Sequence, residues 1–450
     1  MKPAASKDMI DVDALCVGMF VHLDLGWMSH PFPLGSFKIA DAQQIATIRS
    51  LGLRQVRWSP AQSDAVVPTA AASRNTSEPV DPAVTEIRGA GSAPVIATST
   101  SAQSAEVLAR QLHRQQLSCQ DKALALCKRQ FAEAAQDCKR LTERALHQPQ
   151  EARAQAEALS QALVDKMLVA GDLCIRLLSD AAGDKASLHA LNVTVISLLM
   201  GRTFGLSESD MLDLGVGAML HDIGKLELPD RVRYREDHLS GAEVRLYEEH
   251  VARGVVLARK MGLSGGAALI VAQHHEHADG SGFPLRLNTD RMTAGARIVS
   301  LVNRYDNLCN PHLPSHALTP HESLSLLFAQ GKTKFDTAIL GAFIKMMGVY
   351  PAGSTVQLTD DRFAMVVGVN SSRPLRPRVL VHEAGVPRDE ALIVDLESLQ
   401  GLGIRRSIKP QQLPVASLEY LAPRPRVSYF FEPIQSDEVV GSLREVEAAH

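Results

Sequence analysis

His189, then His221-Asp222-Ile223-Gly224-Lys225, then His250, then His274-His275-Glu276-His277-Ala278-Asp279-Gly280-Ser281-Gly282-Phe283-Pro284, and finally Asn303 and Asp306 follow one another along a single stretch of this chain. Apolar residues between them keep helical spacing, as in Leu188, Leu191, Val195 and Leu198, so residues 184–350 are expected to be all-helical. Imidazole nitrogen and carboxylate oxygen are the donors that iron, manganese and zinc accept. Clustered His and Asp therefore predict a metal site spread over several helices, and two metals in one cluster point to hydrolysis of a phosphate ester.

Taken singly, the motifs differ in weight. An isolated His-Asp pair is most often a capping or solvated pair, but at a helix end its two side chains can converge, and Asp222 could bridge two metals. Lys225, one turn beyond His221, would share its face and could offset charge on a phosphoryl group. His250 alone would read as an ordinary surface or core histidine. His274-His275 running into Asp279, Gly280, Gly282, Phe283 and Pro284 is more specific, because paired histidines lead into a loop forced to be irregular. Ser207 with Asp210 is a plausible cap for the helix that ends near His221.

Elsewhere the chain falls into modules. Residues 8–60 read as a small α+β unit: a strand-like run from Ala14 to Leu25, a loop with Trp27, Pro31 and Pro33, a helix from Asp41 to Leu51, and a returning strand from Gln55 to Trp58. Residues 61–104 drift into Ala, Ser, Thr and Pro without a period, which predicts a disordered linker. Residues 105–180 read as long helices. Within them Leu117, Leu124, Phe131, Cys138 and Ala145 recur every seventh residue, with Cys127, Ala134 and Leu141 three places on and Gln120 imperfect. That pattern fits a helix packed on its own domain, or a homodimer seam through 105–146. From residue 351 to 432 the character changes to alternation, with Val356 and Leu358, the turn Asp360-Asp361-Arg362, and Phe363, Met365 and Val367, so a small β module is expected before a tail at 433–450.

Composition narrows the function classes. A net charge of −3 on 450 residues gives no basic face for duplex nucleic acid. Cys16, Cys119, Cys127, Cys138, Cys174 and Cys309 form no C-x-x-C pair, unlike a disulfide framework or zinc ribbon. No run approaches the ~20 apolar residues of a membrane span, and Met1 to Asp13 lacks a basic-then-apolar signal, so a cytoplasmic protein is expected.

With these motifs in place, the chain resembles the HD-GYP family, the bacterial branch of HD-domain phosphohydrolases that degrade cyclic di-GMP. Residues 8–60 resemble the small domain of unknown function often found ahead of HD-GYP domains. The resemblance implies a multidomain, mainly α protein with an all-helical HD-type core and two divalent metals, iron or manganese. One metal would be held by His189, His221, Asp222 and Asn303; the other would share Asp222 and take His250, His274 and His275. It further implies that a hydroxide between the metals attacks phosphorus, that Lys225 steadies the phosphate, that a ribose 3′ oxygen leaves, and that linear pGpG or, after a second cut, GMP is the end product. Cyclic di-GMP is the implied small-molecule partner, and a diguanylate cyclase or another signalling protein the implied protein partner.

The chain also departs from that family. Asn303 stands where an aspartate is usual, removing one formal charge from the first metal, and the spacing of Asp306 does not match a replacement. Lys185 stands where three-metal members carry glutamate, so a third metal is not expected. Phe283 replaces a tyrosine, and Cys309-Asn310-Pro311-His312-Leu313-Pro314 replaces an arginine-containing segment. Three readings follow: a two-metal cyclic di-GMP phosphodiesterase, a degenerate HD-GYP module that binds nucleotide or a partner with little hydrolysis, and an HD hydrolase for another phosphate ester.

Overall fold

Residues 9–25, 30, 32, 36–64, 98–169, 171–178, 183–234, 239–331, 333–370, 373–399, 401–424 and 426–433 are described by the computed structural model of the chain. They divide into two units, one within residues 1–30 and 34–116 and the other within 31–33 and 117–450.

In the first unit, β1 (Met9–Asp11), β2 (Phe20–His22), β3 (Ser36–Lys38), α1 (Ala42–Ser50) and β4 (Gln55–Trp58) form the expected α+β module. Its antiparallel sheet has the order β1-β4-β2-β3. Asp41 caps α1 by accepting the Gln44 amide, while Ile45 and Ile48 face inward. The strand expected across Ala14 to Leu25 is cut to Phe20–His22, because Val12–Ala14 forms a 3-10 turn and Gly18 takes a φ of 92°. Trp27, Pro31 and Pro33 lie outside the described residues, as does most of the stretch read as a linker. Helix α2 (Thr98–Arg144) begins inside that stretch, before residue 104.

In the second unit α2 continues, followed by α3 (Pro149–Val169). The helix expected to run to about Asp180 stops there, and Leu173–Leu178 is a strand, β5. All six β5 residues are buried, so the segment lacks the alternation that marks a half-exposed strand. The helical core then comprises α4 (Lys185–Thr203), α5 (Glu208–Leu220), α6 (Asp230–Arg233), α7 (Gly241–Met261), α8 (Gly265–Gln273), α9 (Ala294–Cys309), α10 (Pro320–Gln330) and α11 (Thr337–Met347). Ser207 accepts the Asp210 amide at the start of α5, as its sequence suggests.

After the helices come β6 (Thr355–Leu358), β7 (Phe363–Asn370), β8 (Arg378–Val381), β9 (Ile393–Asp395), β10 (Ile404–Ser407), α12 (Val415–Leu421) and β11 (Ser428–Pro433). β6 and β7 form the expected hairpin. The sheet runs β10-β6-β7-β5-β11, with β8 on β7 and β9 on β8. The C-terminal module is therefore not closed on itself: β5, from before the helical core, lies between β7 and β11.

The heptad pattern of α2 has a local use. Cys127, Phe131, Ala134, Cys138, Leu141 and Ala145 are all buried within the second unit, so a partner helix has no access to that half of the seam. Phe131 meets Phe430 of β11 edge to face at 5.9 Å. Phe131→Ala is expected to destabilise the unit by ~3–5 kcal/mol, read as a lowered midpoint in denaturant unfolding.

Candidate metal centre

Four helix-borne segments converge at one point of the second unit. His189 lies in the second turn of α4; His221 is the residue after α5; His250 is mid-helix in α7; His274 is the residue after α8, with His275 next to it. Asp222 follows His221 and opens a 3-10 turn, Ile223–Glu227. That turn presses on α7 so closely that a side chain at Gly224 would collide with the main chain of His250 and Gly254. The glycine of the His221-Asp222-Ile223-Gly224-Lys225 motif is thus what lets Asp222 and His250 share a site.

Asp222 stands between two sets of imidazoles. Its Oδ2 lies 3.6 Å from His189 Nε2 and 3.4 Å from His221 Nε2, while its Oδ1 lies 3.5 Å from His250 Nε2 and 3.6 Å from His274 Nε2. His275 joins the second set, and within each set the ligand atoms lie within 4.8 Å of one another. The other ring nitrogens are anchored: His221 Nδ1 to Ala218 O at 2.6 Å, His250 Nδ1 to Tyr247 O at 2.5 Å, His274 Nδ1 to Val271 O at 2.8 Å, and His189 Nδ1 to Asp306 Oδ2 at 2.6 Å.

These anchors decide what the centre fits. A carbonyl or carboxylate oxygen only accepts, so each Nδ1 must carry the proton and each neutral ring must present a bare lone pair at Nε2. Yet His189 Nε2 and His221 Nε2 are 3.2 Å apart, and His250 Nε2 and His274 Nε2 are 3.3 Å apart. Lone pairs facing each other at that distance repel unless a proton or a metal cation lies between them. Asp222 Oδ1 and His275 Nε2 are also buried without a hydrogen-bond partner. The donor set fits two divalent ions, with Asp222 shared between them.

Other residues singled out by sequence take varied places. Asn303 is buried on α9 and lines the same cavity, with its Oδ1 accepting Asn307 Nδ2 at 2.6 Å. Asp306 is fully buried behind His189 and orients that ring from outside the ligand set. Lys185 Nζ donates to Pro311 O at 3.2 Å and lies 3.0 Å from His312 Nδ1 on the cavity wall. Of the loop 279–284, only Phe283 lines the cavity, stacking on His275 at 4.5 Å. Asp279, Gly280, Gly282 and Pro284 shape the loop behind it, held by Glu276, whose carboxylate accepts the amides of Leu285 and Leu287. Sequence reading missed Tyr247, whose carbonyl anchors His250 and whose ring lies 5.2 Å from Lys225 Nζ. It also missed Asn192 and Asn310, both of which donate to Asp306. Asn192, one turn after His189, was the one visible signal.

Burial sets the protonation of the centre. It pushes the His250 imidazole down to about 3, lowers His221, and takes His275 well below the ordinary range. Burial alone would raise the Asp222 carboxyl, but Lys225, whose Nζ is 2.6 Å away, and His221 hold it well below. Burial likewise works against the Lys225 ammonium, and Asp222 outweighs it and raises that pKa. Below about pH 6.5 the unfolded chain protonates these histidines while the fold resists doing so, so the unfolded state binds more protons. Chelator-stripped protein is therefore expected to lose thermal stability steadily as pH falls from about 6.5, and His250→Gln to weaken that dependence, as read from melting curves at stepped pH.

Comparison with known proteins agrees with this geometry. Residues 172–339 match the HD domain family, residues 8–156 a domain of unknown function (DUF3391), and residues 355–415 a KOW domain associated with HD domain. The chain is 24% identical to Cyclic di-GMP phosphodiesterase PA4108 of Pseudomonas aeruginosa, over 83% of this chain and 84% of that protein. It is 32% identical to Cyclic di-GMP phosphodiesterase response regulator RpfG of Xanthomonas campestris pv. campestris, over 33% of this chain and 39% of that one. It is also 32% identical to 3'3'-cGAMP-specific phosphodiesterase 2 of Vibrio cholerae, over 36% of this chain and 31% of that one. Among the described residues, no helix is long and apolar enough to cross a membrane. The chain carries an HD domain behind an N-terminal DUF3391 and is homologous to the HD-GYP cyclic di-GMP phosphodiesterases.

Proposed function

We propose that this protein hydrolyses cyclic di-GMP to linear pGpG at a centre of two divalent metals, iron or manganese. The observation that carries this reading is the Asp222 carboxylate, with one oxygen toward His189 and His221 and the other toward His250 and His274. His189, His221, Asp222 and Asn303 would hold the first ion, and Asp222, His250, His274 and His275 the second. Such a pair supplies a nucleophile from water at neutral pH and Lewis acidity for both the attacking and the leaving oxygen.

The chain's own residues do the rest. Lys225 holds a fixed positive charge beside Asp222, placed to face the non-bridging oxygens of a phosphodiester. A P–O bond to water would form as the P–O3′ bond breaks, the water proton passing to solvent and the ribose 3′ oxygen taking a proton from solvent to leave as a hydroxyl. The cavity over the site has a volume of about 1250 Å³, room for a dinucleotide, and Lys185, Arg233, Arg304, Lys334 and Arg426 on its walls suit an anionic substrate. Tyr234 and His312 stack at 5.8 Å on the same wall, presenting flat rings suited to bases.

Asn303 favours a second reading, a module that binds cyclic dinucleotide and hydrolyses little. Its amide brings no formal charge to the first ion, and one lone pair of its oxygen is taken by Asn307. Turnover of cyclic di-GMP by protein loaded with iron(II) or manganese(II), followed by chromatography of products, separates the readings: pGpG formation supports hydrolysis, and tight substrate binding without product supports the module. On the hydrolytic reading, Asp222→Asn abolishes turnover and metal retention, whereas Lys225→Ala keeps both metals and lowers kcat by ~10²–10³-fold. Asn303→Asp tightens the first ion, measured by chelator competition.

A further inference from the structure

We infer that the C-terminal sheet is a working part of the metal centre, because the main chain entering β11 fixes Asp306 through Asn192 and Asn310, and Asp306 fixes His189. This rests on the proposal that His189 is a metal ligand.

Asp306 is a fully buried carboxylate, and its Oδ2 is committed to His189 Nδ1. Its Oδ1 accepts from Asn192 Nδ2 at 2.9 Å and from Asn310 Nδ2 at 2.9 Å. Each of those amide nitrogens has a second hydrogen, and both reach the same acceptor, Val427 O, at 3.1 and 2.9 Å. The two amide oxygens are filled from the same strand: Asn310 Oδ1 by the Val427 amide at 2.9 Å and Asn192 Oδ1 by the Tyr429 amide at 3.0 Å. Every hydrogen and one lone pair of each side-chain amide is thus assigned, and neither amide can flip without breaking a bond to the strand.

Asp306 therefore takes its direction from two asparagines that take theirs from residues 427 and 429. The strand is itself firmly seated. Tyr429 is buried, with its hydroxyl donating to Ala352 O at 3.3 Å, and β11 pairs along its length with β5. Main-chain groups of the C-terminal module stand behind the first ion in the way outer-shell carboxylates and carbonyls stand behind other ligating histidines, where their loss weakens metal affinity by ~10–100-fold. The ring anchors of His250 and His274 are instead Tyr247 O and Val271 O of their own helices. Asn192 and Asn310 are positioning residues for one ion of the pair.

The test is manganese(II) titration of the full chain, resolving two dissociation constants, with His189→Ala marking which step belongs to the first ion. Asn310→Asp keeps size and the acceptor for the Val427 amide while removing both donated bonds; Asn310→Ala is the more severe companion. The expected result is a ~10–100-fold rise in the dissociation constant of the step lost in His189→Ala, with the other step unchanged. Should Asn310→Ala fail to fold, the near-isosteric variant, checked by its melting curve, carries the same readout. Two dissociation constants equal to wild type in a folded variant, or equal weakening of both, overturn the inference. Neither outcome depends on turnover, so absence of pGpG in the assay above would defeat the proposed function and leave this measurement standing.

Discussion

Imidazole lone pairs held nose to nose across one carboxylate are the constraint around which the rest of this structure is arranged. Lone pairs 3.2 and 3.3 Å apart are tolerable only with positive charge between them, and the fold holds them there by pinning the far side of each ring. The means is local. α5 and α8 each end on the residue before a histidine, and the carbonyls of a helix's last turn have no amide partner of their own. His221 and His274 donate Nδ1–H to such carbonyls, Ala218 O and Val271 O, so each ring caps its own helix and is thereby aimed. One hydrogen bond serves chain termination and ligand orientation at once. His250 donates to the carbonyl three residues back from mid-helix, and of these four rings His189 is the one with a distant partner, Asp306.

That difference explains what the sequence could and could not reveal. The His-Asp motif, the paired histidines and the helical spacing around them are local signals, and the structure gathers those residues as the spacing suggests. The residues that aim the first ring are Asp306, Asn192, Asn310 and the main chain at 427, and a main-chain partner leaves no mark in residue type. β5 was illegible for a related reason. Its residues are buried on both faces, so no alternation appears, and the run is too short to be told from a buried helix by period. The heptads of α2 were legible as a seam but silent about what fills it, since Phe131 meets Phe430 from the far end of the chain.

The same placement gives the chain's modules a physical relation. A β module appended after a catalytic core could be an independent unit, but here its sheet incorporates β5 from before α4, and its last strand runs back along β5. The helical core, strands β6–β10 and α12 all lie between those two strands in sequence, so the β5–β11 ladder closes that whole stretch of chain. Asn192 and Asn310, on α4 and just after α9, are where that ladder touches the polar interior of the core.

The donor set also bears on which ion the centre suits. Five imidazoles surround one carboxylate, and that carboxylate is already countered by Lys225. Magnesium and calcium are held by oxygen-rich, negatively charged cages, which this centre lacks, most plainly at Asn303. Manganese shares part of that preference for oxygen, whereas imidazole nitrogen suits iron and zinc. Asparagine at position 303 keeps an oxygen donor but removes its formal charge, so the imidazoles would carry a larger share of the binding at the first ion.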